Sequence, residues 1–299
     1  MKIILVNPRQ AEVYGGLPSS IQLPLGLAYI AATAEQEGNE ILVIDMETEG
    51  WGNKEFVNRI EELKPNIIGV TCTTPLFYKA VELCSLAKKV KPSIFTILGG
   101  IHPTIFPEES IKPTSVDIVV KGEGEKTFVK LLKCIETEDD LLKVKGIIYK
   151  KNGQIIITPE RELIPNLDEI PFPARHLFKT QKYTYPDSLS KNTFPIITSR
   201  GCPGRCTFCN TQNIFGHWFR ARSPRNVVDE IEFLIKRNRA QEIHIWDDNF
   251  TTNKSRVFEI RDEIKKRNIK IKFAFPNGLR ADFLNEQILD CLKDMGTYS

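Results

Sequence analysis

The stretch Ser199-Arg200-Gly201-Cys202-Pro203-Gly204-Arg205-Cys206-Thr207-Phe208-Cys209-Asn210 crowds three of the chain's seven cysteines into one short loop. The spacing is Cys-x3-Cys-x2-Cys, and it follows an apolar run at 194–198 that reads as a strand. In a reducing compartment, clustered thiols point to a metal or redox centre before they point to disulfides. An iron–sulfur cube has four irons and usually takes four thiolates. Three thiolates from one loop hold three irons and leave the fourth open to chelate a small molecule, as a catalytic zinc keeps one position free. Gly201, Pro203 and Gly204 suit a loop that must wrap a bulky cluster. Arg205 offsets thiolate charge. A zinc knuckle with His217 as the fourth ligand is a second reading, although zinc sites usually show two separated Cys/His pairs, which this chain lacks. Cysteines without any metal are a third. Cys72, Cys84, Cys134 and Cys291 stand singly among apolar residues and read as small buried hydrophobes.

The elements that must carry this loop belong to an α/β chain. It has 299 residues, 41% apolar and 26% charged, enough for two domains. Its net charge of +3 gives no whole-chain reason to expect nucleic acid or an anionic membrane as partner. No apolar stretch approaches the roughly 20 residues of a membrane span. Met1-Lys2 and the apolar run at 3–6 read as a first buried strand and not as a signal peptide, so the chain is expected in the cytoplasm. In the first 140 residues, β-branched runs at 3–6, 41–44, 67–71, 94–98 and 117–120 alternate with helical patterns at 25–36, 54–63, 76–90 and 125–135. Continuous apolar strands followed by helices predict a flavodoxin-like, doubly wound parallel sheet with ligands at the C-terminal strand ends. Asn152-Gly153 between two apolar runs predicts a hairpin, and the proline-bearing stretch 159–192 reads as an ordered connector. From Phe194, three βα units follow, with Ser223-Pro224 opening the first helix. The expected domains are therefore 1–140, a hairpin and connector at 141–192, and a truncated (βα)n partial barrel at 193–299.

Cys202-x3-Cys206-x-Phe208-Cys209 resembles the signature of the radical S-adenosylmethionine superfamily. The resemblance implies that the open iron binds the amino and carboxylate groups of S-adenosylmethionine. It implies that an electron from the reduced cluster, supplied by an external donor, cleaves the sulfonium to a 5′-deoxyadenosyl radical. Phe208 would lie against the adenine, where the plainer alternative is packing. The superfamily grips the methionine amino group at the end of the second strand. Here that strand runs into Asp247-Asp248-Asn249-Phe250-Thr251, which departs from the common Gly-Gly-Glu and is similar to the version in the cobalamin-dependent branch. An ammonium needs several acceptors, and Asp247 and Asp248 can supply them; the alternative is a helix-capping turn. Asn277-Gly278-Leu279-Arg280-Ala281-Asp282 is also similar to that branch, with Arg280 reaching a carboxylate or making a surface ion pair.

The first half resembles the cobalamin-binding domain of the same branch. Gly99-Gly100-Ile101-His102-Pro103-Thr104 after the fourth strand and Lys121-Gly122-Glu123-Gly124-Glu125 after the fifth match its loops. Glycines there let backbone approach a ligand, and Thr71, Thr73 and Thr74 can hydrogen-bond a nucleotide tail. His102 either braces its loop or touches a ligand. The likeness runs over nearly the whole chain, is strongest at 196–252, and is to the group labelled anaerobic magnesium-protoporphyrin cyclase-like. One departure stands out. The cobalt-ligating Asp-x-His-x-x-Gly of mutase-type domains is missing from the first-strand loop, residues 7–16, so cobalamin would bind without a protein histidine, or the domain keeps the fold without the cofactor. Gly15-Gly16 does not make the dinucleotide fingerprint, which speaks against a nicotinamide site.

The expected function is reductive cleavage of S-adenosylmethionine linked to cobalamin, in methyl transfer, cyclisation or related carbon-centre chemistry on a small-molecule substrate that the sequence does not name. A methylthiotransferase is an alternative, but it needs a second cluster on N-terminal cysteines at strand ends, and only Cys72 sits at one. An inactive fragment or binding module of an interrupted gene is another. By resemblance a full radical core has more βα units than the three visible here, so the chain is expected to be a truncated, weak catalyst.

Overall fold

The structure, a computed structural model, describes residues 1–11, 13 and 21–299; Gly15-Gly16 lies outside the described residues. It divides into two compact units, Met1–Leu163 with Ile170–Tyr183, and Ile164–Glu169 with Thr184–Ser299.

The first unit is built on β1 (Lys2–Asn7), β2 (Glu40–Asp45), β3 (Ile67–Thr71), β4 (Phe95–Gly99), β5 (Ile118–Val120), β6 (Ile147–Lys151) and β7 (Gln154–Ile157). The sheet order is β2-β1-β3-β4-β5-β6-β7, with β1 to β5 parallel. The order 2-1-3-4-5 is flavodoxin-like and puts the topological switch between β1 and β3. A parallel strand is covered on both faces, so successive residues feed two cores. Ile4, Val6, Ile68 and Val70 pack with α3 (Asn53–Leu63) and α4 (Phe77–Val90). Ile3, Leu5, Ile67 and Ile97 pack with α1 (Leu25–Gln36) and α7 (Gly124–Glu136). Three short helices, α2 (Met46–Glu49), α5 (Ile101–Ile105) and α6 (Pro107–Ile111), complete the connections. Asn152 (φ 52°) and Gly153 (φ 77°) both take the left-handed conformation that a tight two-residue hairpin needs. Its first strand pairs antiparallel with β5, Val119 opposite Ile148, so the hairpin extends the same sheet.

The second unit carries β8 (Thr193–Ile196), β9 (Ser199–Arg200), α8 (Thr211–Phe215), β10 (Arg220–Ala221), α9 (Pro224–Asn238), β11 (Glu242–Ile245), α10 (Lys254–Lys266), β12 (Lys272–Ala274) and α11 (Glu286–Met295). Strands β8, β11 and β12 form a parallel sheet in the order β12-β11-β8, and β9 and β10 form a short antiparallel ribbon. Each long helix is started by a side-chain cap: Ser223 Oγ accepts from the Asn226 amide, Asn253 Oδ1 from Arg256 and Asn285 Oδ1 from Ile288. Their apolar stripes, including Val227, Ile231, Ile260 and Ile288, cover Ile243, Ile245 and Phe273 of the sheet. Beyond α11, Thr297 pairs in parallel with Phe273. No described helix is long and apolar enough to cross a membrane.

Phe250 turns the corner from β11 to α10. Its ring is 1% exposed, packs 5.1 Å from Phe275 and lies under the Arg256 guanidinium at 5.7 Å. Phe250→Ala should destabilise the second unit by about 3–5 kcal/mol. A urea titration followed by tryptophan fluorescence would read this as a lower midpoint; an unmoved midpoint would show that the corner does not depend on the ring.

Candidate functional site

The cysteine loop begins where β8 ends, and its first residue of consequence is Thr198. This residue is fully buried, and each of its polar groups is taken. Its amide donates to Asp247 Oδ1 at 2.6 Å and its hydroxyl to Oδ2 at 2.5 Å, where the Ser199 hydroxyl also donates at 2.6 Å. Its carbonyl accepts from the Arg222 amide at 2.9 Å and from Arg256 Nη2 at 2.8 Å. Arg256 also donates through Nε to the Arg222 carbonyl at 2.9 Å. Burial pulls the Arg256 pKa down, while the Asp247 carboxylate opposes that shift. Asp247 thus spends its side chain on the strand behind the loop, and its own carbonyl accepts from Asn277 Nδ2 at 3.3 Å.

Asp248, the next residue, points into the loop. Its Oδ2 accepts from the Gly201 amide at 2.8 Å and its Oδ1 from the Thr211 hydroxyl at 3.1 Å. Burial pushes its pKa up, and these two bonds counter it. Gly201 sits at φ +84°, and a Cβ there would fall 2.1 Å from the Trp218 carbonyl oxygen, so only glycine fits. Cys202, Cys206 and Cys209 are all half-buried, and each sulfur meets a different partner. Cys202 Sγ accepts from the Gly204 amide at 3.4 Å. Cys206 Sγ accepts from Arg280 Nη1 at 3.1 Å. The Cys209 thiol lies 3.3 Å from the Thr211 hydroxyl. Arg280 is itself held by a two-pronged contact with Asp282, Nε to Oδ1 at 3.0 Å and Nη2 to Oδ2 at 2.7 Å, which raises its pKa. Gly204 leaves the space that Arg280 uses: a Cβ there would come within 2.5 Å of Nη1. The Arg280 amide is 3.4 Å from Asn249 Oδ1, so the ends of β8, β11 and β12 meet at one loop. Phe208 is 90% exposed and Trp218 is 75% exposed. Among the described residues, no three His, Cys, Asp or Glu side chains converge as a single metal ion requires. The donor chemistry of three separate, half-exposed thiols, each with a hydrogen-bond partner, suits a wider iron–sulfur body.

The strand ends of the first unit sort the other expected residues. Thr71 is half-buried, Thr73 is exposed and Gly99 is half-buried. Gly100 takes φ +109°, and a Cβ there would sit 2.9 Å from the Cys72 carbonyl oxygen. Gly124 admits the Ile30 side chain, 2.8 Å from its missing Cβ. Both glycines serve packing. Gly122, at φ +76°, faces open space, with its amide donating to the Thr104 hydroxyl at 3.0 Å. His102 is buried between Phe77 and Phe106, at ring distances of 4.3 and 5.2 Å, with Nδ1 3.3 Å from the Thr74 hydroxyl.

Sequence reasoning passed over Thr198, Thr211 and Arg256. Arg256 had one readable signal: it shares the helix stripe of Ile260 and Ile264, where a cation needs a buried partner. Asp247→Ala should therefore strip two residues of their partners and loosen the cysteine loop, at about 1–3 kcal/mol per orphaned group. The check is iron retained after anaerobic reconstitution; full iron content with weakened S-adenosylmethionine binding would show instead that Asp247 acts on the ligand.

Residues 13–132 match the B12 binding domain family, and residues 196–298 match the radical SAM superfamily. The chain is 33% identical over its full length to an uncharacterized methyltransferase of Pyrococcus horikoshii, of which it spans 64%. It is 30% identical over 98% of its length to the anaerobic magnesium-protoporphyrin IX monomethyl ester cyclase of Rubrivivax gelatinosus, of which it spans 52%. The solved structure of the cobalamin-dependent S-adenosylmethionine radical enzyme OxsB, with aqua-cobalamin and S-adenosylmethionine bound, shares the fold, with a TM-score of 0.82 at 22% identity over 99% of this chain and 42% of that one. This protein thus covers only part of the length of these relatives. With one matched domain following the other, the chain belongs to the radical S-adenosylmethionine superfamily and carries a B12 binding domain ahead of its radical domain.

Proposed function

We propose that the chain cleaves S-adenosylmethionine reductively at a 4Fe–4S cluster on Cys202, Cys206 and Cys209, and couples this to cobalamin in methyl transfer, cyclisation or related carbon-centre chemistry. The observation that carries this reading is the set of three half-exposed thiols, each with its own partner, on a loop fixed to three strand ends. When bound, the cluster supplies an electron to the sulfonium. The substrate is a small molecule, and the electron comes from an external donor in the cytoplasm.

The residues around the loop divide the work. Asp248 accepts one hydrogen bond on each oxygen and keeps lone pairs for an ammonium. Phe208 offers an exposed ring for an adenine face. Asn249 and Asn277 hold the turn in shape. Asp247 positions the loop from behind. Thr71, Thr73, Gly99 and Gly122 are the strand-end residues best disposed toward cobalamin, and Gly122 has the open approach that close contact needs. The methylthiotransferase reading is not favoured. Cys84 and Cys134 are buried in helices, and burial pushes the Cys72 thiol up to about 12, far from a ready metal ligand.

Replacing Cys202, Cys206 or Cys209 singly with alanine should reduce the iron content and the broad visible absorption after anaerobic reconstitution. Retention of both by all three variants would remove the cluster from this loop. Any cobalamin would bind without a histidine from the strand-end loops on its cobalt. No histidine precedes His102, and His102 is enclosed by aromatic rings. Electron paramagnetic resonance of the Co(II) form should lack imidazole nitrogen splitting; its presence would contradict this geometry.

A further inference from the structure

The guanidinium of Arg280 is aimed at a cluster-ligand sulfur, and the loop is shaped to let it in. Nη1 lies 3.1 Å from Cys206 Sγ, while the other two nitrogens are fixed on Asp282. The absence of a side chain at Gly204 clears its path. The other two sulfurs meet neutral partners, a backbone amide and a hydroxyl. The Cys206 contact is charge-assisted, the stronger kind.

Hydrogen bonds and charge at cluster sulfurs are among the terms that set an iron–sulfur reduction potential. Reduction adds one electron, and its density spreads onto the thiolates. A cationic donor to a thiolate stabilises that reduced state more than the oxidised one, so it raises the potential. We infer that Arg280 is the positioning residue that sets the potential of the cluster through the Cys206 thiolate, and that Asp282 and Gly204 keep it there. This rests on the proposal that the loop holds a cluster. It also gives Arg280 a task beside gripping a ligand carboxylate, since three of its five N–H donors are directed to Cys206 and Asp282.

The test is a reductive titration of the reconstituted full chain, followed by electron paramagnetic resonance of the reduced cluster. Arg280→Gln should leave iron content intact and shift the oxidised-to-reduced ratio at a fixed potential about tenfold toward oxidised, which is 59 mV for a one-electron couple. Arg280→Lys, which keeps the charge without the fork, should shift it less. Gly204→Ala leaves the arginine in the sequence but puts a methyl carbon 2.5 Å from Nη1, too close for it to stay, and should shift the ratio in the same direction as Arg280→Gln. If a variant loses iron, the unmodified chain decides. Nitrogen-15 labelling of arginine should change the nitrogen coupling seen in pulsed spectra of the reduced cluster, and Arg280→Lys should remove that coupling. An intact cluster with an unchanged potential in Arg280→Gln, or without arginine nitrogen coupling, overturns the inference. Failure of the unmodified chain to take up iron overturns the cluster reading beneath it.

Discussion

The second unit depends on one peptide being held from both sides. Thr198 is fully buried, so its amide, hydroxyl and carbonyl must all find partners within the protein. Asp247 takes the two donors and Arg256 takes the carbonyl. A carboxylate and a guanidinium, each expensive to bury alone, thereby become affordable together because every contact is a charge-assisted hydrogen bond. The direction in which the chain leaves β8 follows from this arrangement. So does the placement of Gly201, whose amide is received by the neighbouring Asp248. Two adjacent acidic residues thus act in opposite directions, one into the scaffold and one toward the loop.

The first unit solves a different problem. Its strands are buried on both faces, and the crowding at their C-terminal ends is relieved by glycines. Gly100 and Gly124 give way to neighbouring backbone and to the Ile30 side chain, while Gly122 remains open. A glycine-rich loop therefore mixes two kinds of residue that look alike in sequence. Some are glycine because the protein itself fills the space, and others because the space is left free.

Much of the fold was legible because apolar periodicity is a direct record of burial. The helix at 25–36 has the limits its pattern gives, and the parallel strands follow continuous β-branched runs. The hairpin was legible from Asn152-Gly153, since few other pairs adopt two left-handed conformations in succession. The short helices α5 and α6 were not, because Pro103 and Pro107 interrupt any helical pattern there. Cys202, Cys206 and Cys209 stood out because all three lie in one short loop. The partners of Asp247 were not, since they stand 48 and 49 residues earlier in the chain and only the pairing of β8 with β11 brings them near. Local spacing carries the thiols; long-range register carries the groups that hold their loop.

The seven thiols also fall into two populations. Cys72, Cys84, Cys134 and Cys291 are at most 2% exposed, whereas Cys202, Cys206 and Cys209 are all partly open to solvent. Burial holds Cys72, Cys84 and Cys291 as neutral thiols, and a neutral, enclosed thiol is a poor nucleophile. Air or an alkylating reagent would therefore act first on the loop and leave the four interior sulfurs untouched. Damage of that kind would fall on the loop and spare the hydrophobic cores, so a preparation handled in oxygen would keep its fold while its loop thiols were altered.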